Sequence, residues 1–180
     1  MTRMRALTRF IRDIPDFPKQ GIVYWDFASL LANPGAVHNA IADFIAHFKD
    51  KVVTKVAAIE AKGFTIGAIL AYEMHVPLML IRKPGLVPGN VLSESFVKEY
   101  GDGMYQIKAE AIKPRDKVLI VYDIMAGSGA SRAAIQLVER SGAEVVGCAY
   151  VIELAYLNGR EGLQGHDLFS LVRINHAKGS

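Results

Sequence analysis

VLIVYDIMAGSGAS, residues 118–131, is the stretch on which the fold turns. KVLIVYDIM (117–125) is apolar without alternation, as a strand buried on both faces would be. Its acid, Asp123, stands near the strand end, placed to accept hydrogen bonds from sugar hydroxyls. Five small residues follow, Ala126, Gly127, Ser128, Gly129 and Ala130. SRAAIQLVERSG (131–142) then reads as a helix stopped by Gly142. Small residues let backbone N–H groups converge on an anion, and a helix N-terminus adds its positive end. The same residues also suit a tight packing turn, and the Gly-Ser-Gly pattern alone favours neither reading. It is not a Walker loop, lacking Gly-Lys-Ser/Thr, and it is not a GxGxxG fingerprint.

Outward from this stretch, strands and helices alternate. On the N-terminal side, KVAAIEA (55–61) reads as a strand, GFTIGAILAYEMH (63–75) as a helix and VPLMLIRK (76–83) as a strand. PGLVPGN (84–90) is a loop, and Val91–Glu99 with Tyr105–Ala111 are expected to form a hairpin beside it. On the C-terminal side, EVVGCAYVIEL (144–154) is one more buried strand. Nearer the start, Val37, Ile41, Phe44 and Ile45 share one helix face, and GIVYWDF (21–27) is a short apolar run. Met4, Leu7, Phe10 and Ile11 recur at helical spacing, so the first dozen residues are expected to be an amphipathic helix ended by Pro15 and Pro18. This order predicts an α/β fold with a parallel sheet covered on both faces. Ligands of such sheets sit outside the carboxyl ends of the strands. The turn after Ile59, the strand end at Arg82 and Lys83, and the turn after Asp123 are therefore the places to watch.

Bulk properties narrow the function. A chain of 180 residues with 51% hydrophobic and 22% charged residues is expected to form one domain with a single substantial core. A net charge of +3, with no basic run interleaved with aromatics, argues against nucleic acid as a partner. No stretch approaches the ~20 apolar residues of a membrane span. Arg9, Arg12 and Asp13 interrupt what would be the apolar core of a signal peptide. A cytoplasmic protein is expected. The single Cys148 excludes an intramolecular disulfide and, lying mid-strand, reads as a small core residue. The five histidines have no metal-ligand spacing, so no protein-held metal is expected.

Segments 118–131, IRDIPDFPKQGIVYWDFASLL (11–31), IEAKGFTIGAILA (59–71), IRKPG (81–85), SESFVKEYG (93–101) and YVIELAYLNGREGL (150–163) together carry a resemblance. In order and spacing the chain resembles the type I phosphoribosyltransferases, and among them the adenine phosphoribosyltransferase family, from Ile11 to Val172. The resemblance implies a type I phosphoribosyltransferase fold, with a parallel five-stranded core and a small hood from about 1–35 and 155–175 of a single 1–180 domain. It implies formation of AMP and pyrophosphate from adenine and phosphoribosyl pyrophosphate in purine salvage. Magnesium would be held through the substrate, and the working unit would be a homodimer.

Carried over by position, the resemblance assigns Ala126, Gly127, Ser128, Gly129 and Ala130 to the 5-phosphate and Asp123 to the ribose. Lys62 and Lys83 would face the pyrophosphate. Glu99 would be the catalytic acid near the purine and leaving group, with Tyr100 beside it. Val23, Tyr24 and Trp25 would form the base pocket, and the loop 84–95 would close over the site. The chain departs from the family at several of these places. Tyr122 stands where an acid is usual, Lys62 and Trp25 replace arginines, and Leu86 replaces a loop lysine. Ser128 and Ser131 are the hydroxyls left at the phosphate loop. The alternative these losses raise is a weak or inactive member that binds purine nucleotide as a regulator.

Overall fold

The computed structural model describes residues 7–97 and 102–176. Arg12–Ile14 (β1) pairs antiparallel with Tyr24–Asp26 (β2). The turn between them is closed by the Asp16 carboxylate, which accepts from the Gly21 N–H at 2.7 Å. Ahead of β1 lies one 3-10 turn, Thr8–Phe10, and the chain is extended again at Ile11. Of the helix expected over the first dozen residues, 1–6 lie outside the described residues, Leu7 is helical, and the helical structure ends at Phe10. Leu7 and Ile11 are both buried.

After a helical turn at Ala28–Leu31, Pro34–Phe48 forms α1. Asn33 caps it by accepting from the Ala36 N–H at 2.9 Å, and Pro34 supplies the fixed φ of a first helical position. Ile41 and Phe44 of the expected face are buried with Ala36, Ala40 and Phe48, while Val37 and Ile45 lie half-buried at its margin. Then come Lys55–Ile59 (β3), Gly63–Glu73 (α2) and Leu78–Ile81 (β4). Val91–Val97 (β5) and Asp102–Lys108 (β6) make the expected hairpin. Lys117–Met125 (β7), Gly129–Glu139 (α3), Glu144–Leu154 (β8) and Leu168–Ile174 (β9) complete the chain. Among the described residues no helix is long and apolar enough to cross a membrane.

The main sheet has five strands in the order β4-β3-β7-β8-β9, and every pairing is parallel. Alternate residues of β7 feed two separate cores. Leu119 and Val121 pack under α1, α2 and the N-terminal segment, with Phe44, Phe48, Ile66 and Leu70. Val118 and Ile120 pack under α3 and the hairpin, with Tyr105, Ile107, Leu137 and Tyr150. Burial on both faces explains the unbroken apolar run. One expectation is corrected: the far C-terminal strand is the fifth strand of the sheet and not part of a hood. β9 pairs with β8, and its Phe169 meets Phe44 with ring centroids 5.9 Å apart, so the strand covers apolar surface of α1.

α2 approaches β3 closely. A Cβ added at Gly67 would lie 2.5 Å from the Cβ of Ala58. This contact sets the helix whose N-terminal flank is Lys62. Gly67→Ala is expected to cost roughly 1–3 kcal/mol through overpacking, read as a lower urea midpoint. Adding Ala58→Gly should recover part of the loss, and an undiminished midpoint in the single variant would contradict the packing described.

Candidate active site

All five parallel strands end at the same edge, and the loops leaving β3, β4, β7 and β8 meet there. Asp123 lies two residues before the end of β7 and is 9% exposed. Burial pushes its carboxyl above the usual range, against the opposing pull of the Lys62 charge and of its own and Ile124 backbone N–H groups. Lys62 Nζ stands 3.9 Å from Asp123 Oδ2. That ammonium also donates to the Tyr24 hydroxyl and lies 4.2 Å from the centre of the Tyr24 ring. A single cation thus spans the gap between the N-terminal hairpin and the acid of β7.

Ala126–Ser128 then bend into α3, whose flanking Ser128 makes no side-chain cap. The amides of the first turn are left without an intrahelical acceptor, as at any helix start. Gly127 is exposed, while Ala126, Ser128, Gly129 and Ala130 are half-buried. The glycine at 129 is required by the hairpin above it, since a Cβ there would sit 2.7 Å from the Val97 carbonyl oxygen.

A cavity of about 410 Å³ opens beside this loop, walled by Lys62, Lys83, Phe96, Tyr105, Tyr122 and Asp123 among others. Tyr105 donates to the Tyr122 hydroxyl at 3.5 Å. Burial is the main reason both phenols are held above their usual range, so this wall is neutral where the resemblance led one to look for a second acid. Glu60 also faces the cavity, but it is committed. Its Oε2 accepts from the Lys83 N–H at 3.0 Å and from Arg82 Nε at 3.4 Å. Arg82 Nη1 in turn donates to the Leu86 carbonyl at 2.9 Å, and the Gly85 N–H donates to Gln106 Oε1 at 3.1 Å. These bonds pin the loop after β4 to the hairpin. Among the described residues no group of three or more His, Cys, Asp and Glu side chains is gathered to hold a metal ion.

The structure therefore brings together Lys62, Lys83, Asp123 and Ala130 at one cavity, and Ala126–Gly129 link β7 to Ala130 without lining it. Tyr24 reaches the same region through Lys62, and Val23 is half-buried against the core. Trp25 is corrected. Alternation along β2 turns it away from Tyr24 and Asp26, and at 6% exposure its ring is part of the core and not a stacking face. Glu99 and Tyr100 lie outside the described residues. Glu60 and Tyr105 were not singled out in sequence, and Arg82 was marked only by its place at a strand end. Their signal is weak, because each acts through a partner on another element.

The phosphoribosyl transferase domain family matches residues 27–174. An adenine phosphoribosyltransferase of Dinoroseobacter shibae is 42% identical over 168 residues, covering 93% of this chain and 94% of that protein. The chain belongs to the adenine phosphoribosyltransferase family. A second member, from Methylococcus capsulatus, is 44% identical over 172 residues, covering 96% of this chain and 99% of its own. The solved adenine phosphoribosyltransferase of Giardia lamblia, complexed with 9-deazaadenine, superposes with a TM-score of 0.91 at 33% identity, covering 98% of this chain and 100% of its own. The five-stranded sheet with helices on both faces is the type I phosphoribosyltransferase fold that this family shares.

Proposed function

We propose that the chain forms AMP and pyrophosphate from adenine and phosphoribosyl pyrophosphate at the cavity beside Asp123. One observation carries this reading: a buried acid two residues before the end of β7, 3.9 Å from Lys62, on a strand that runs into a small-residue turn and a helix N-terminus. In the reaction the bond from the anomeric carbon to pyrophosphate breaks as a purine ring nitrogen bonds to that carbon. Positive character grows on the sugar and negative charge on the leaving group. The amides of 126–130 take the 5-phosphate, where the helix end favours an anion. Asp123 accepts from the ribose hydroxyls, and Lys62 and Lys83 oppose the charge of the leaving pyrophosphate. Tyr24 lies on the purine side, joined to the ribose side by Lys62. Glu99 and Tyr100 follow β5 in sequence. By the family resemblance alone Glu99 stands near the purine and leaving group, with Tyr100 beside it. Glu99 there assists departure of the proton that the purine's imidazole ring gives up as its nitrogen attacks.

Magnesium enters this reading as the chelate of phosphoribosyl pyrophosphate, as part of the substrate. The cavity suits a chelate better than a bare ion, since Glu60 is already paired and Asp123 stands beside a lysine. The working unit is taken to be a cytoplasmic homodimer of one domain per chain, which sedimentation of the purified protein tests.

The decisive experiment follows adenine absorbance with magnesium and phosphoribosyl pyrophosphate, with hypoxanthine and guanine in parallel. AMP formation is expected, and its absence would overturn the reading. Tyr122→Asp should raise kcat/KM for phosphoribosyl pyrophosphate about tenfold, the worth of one charged hydrogen bond. An unchanged rate would mean that the neutral wall serves the ribose as well as a carboxylate.

A further inference from the structure

The sequence motif YVIELAYLNGREGL is absorbed by none of the chemistry above, yet it lies against the phosphate loop. Its 3-10 turn, Gly159–Leu163, follows Asn158, whose φ is 52°. Two glycines of the turn face the loop after β7 without side chains. A Cβ at Gly159 would lie 2.8 Å from the Ala126 carbonyl oxygen. One at Gly162 would lie 2.5 Å from the Cβ of Ser128 and would overlap its hydroxyl. Arg132, in the first turn of α3, closes the contact by donating from Nη2 to the Gly162 carbonyl at 3.0 Å.

The turn itself is held rigidly from behind. Arg160 donates from Nε and Nη2 to the two Glu153 oxygens, each at 2.8 Å, and from Nη1 to the Leu168 carbonyl at 3.1 Å. Glu153 is 2% exposed and also lies 3.1 Å from Arg173 Nη2. A fork of this kind fixes an arginine in both position and plane. The wall behind the loop is therefore tied to β8 and β9, the strands least involved in the loop's own covalent path.

We infer that this turn sets the position of the 5-phosphate cradle, with Gly162 and Ser128 as a matched pair and Arg160 as a positioning residue held by Glu153. The inference rests on the reading of 126–130 as the phosphate site. It assigns to Ser128 a place defined by the missing side chain opposite it: any larger residue at 162 drives Ser128 into the space the phosphate would occupy.

Steady-state kinetics with phosphoribosyl pyrophosphate and adenine as separately varied substrates test it. Gly162→Ala should raise KM for phosphoribosyl pyrophosphate about tenfold or more, with KM for adenine and kcat within about threefold. Adding Ser128→Gly removes the clashing atoms and should return KM to that of Ser128→Gly alone. Should Gly162→Ala fail to fold, Arg160→Lys keeps the charge and loses the fork, and it too should raise KM for phosphoribosyl pyrophosphate selectively. Equal losses for both substrates, an unaltered Gly162→Ala, or a double variant no better than Gly162→Ala would overturn the inference. Ser128→Asp separates it from the reading beneath it. If that variant abolishes phosphoribosyl pyrophosphate binding while Gly162→Ala is silent, only the inference falls. If Ser128→Asp is silent as well, the phosphate site lies elsewhere and both fall.

Discussion

Asp123→Asn is expected to lower kcat/KM for phosphoribosyl pyrophosphate by roughly 10²–10³-fold, the loss of two hydrogen bonds to a charged acceptor. The same change should raise the melting temperature. Asp123 is buried, and burial lifts its carboxyl above the ordinary value despite Lys62 at 3.9 Å. Between the unfolded and the higher folded value, the folded state binds more proton than the unfolded chain does. Its contribution to stability is fully present below the unfolded carboxylate's pKa and is lost as pH rises through the higher folded value. An amide carries no such loss. Thermal melts of both proteins at pH 4 and pH 7 should show the Asn variant gaining on the parent as pH rises. Retained activity would remove Asp123 from the ribose, and a lower melting temperature at neutral pH would show that its carboxylate stabilises the fold. Activity and stability pull in opposite directions here, as they often do where a charge is kept buried for binding.

Glu153→Ala carries the largest expected cost in stability. The carboxylate is 2% exposed and holds Arg160 through two bonds of 2.8 Å, with Arg173 at 3.1 Å. Removing one member of such a buried group leaves its partners without their acceptor, at a cost of about 3 kcal/mol, the low end of the range because both arginines retain contact with water. For a chain of this size that is a fall of roughly 6–12 °C in Tm. The pH dependence runs opposite to that of Asp123. Burial pushes the Glu153 carboxyl up, but the hydrogen bonds from Arg160 and the charges of both arginines outweigh it, and the folded value lies below the usual one. Its contribution is present above the unfolded carboxylate's pKa and is lost as pH falls through the folded value. Glu153→Gln should therefore flatten the acid limb of the stability profile. An acid limb identical to the parent's would show that the arginines do not favour the ionised form.

Several features were legible in the chain because they depend on local pattern alone. The run 117–125 is apolar at every step because both faces of β7 are covered, and that signature does not require knowing what covers them. Val37, Ile41, Phe44 and Ile45 recur at helical spacing, and α1 buries Ile41 and Phe44 with the other two at its margin. The turn after Asp123 combines a strand end, small residues and a helix, and its capacity to receive an anion follows from backbone geometry. Trp25 is a different case. Its apolar ring and its place in a short run were plain, but which side of β2 meets the core depends on the pairing of β1 with β2. The last strand is likewise placed by pairing, since its membership of the main sheet rests on its parallel register with β8.

By itself, then, the amino-acid order determined the succession of strands and helices from β3 to β8, the parallel sheet, and the edge at which its cavity opens, since each follows from periodicities of two or 3.6 residues and from the chirality of the chain. Tertiary structure alone decided which polar groups meet there. Tyr105 and Tyr122 are 17 positions apart and on different sheets, Lys62 reaches across 38 positions to Tyr24, and Gly162 abuts Ser128. No local term in the sequence encodes those distances. They arise only when loops from separate strands are packed over one sheet end, where the burial of each side chain depends on all the others.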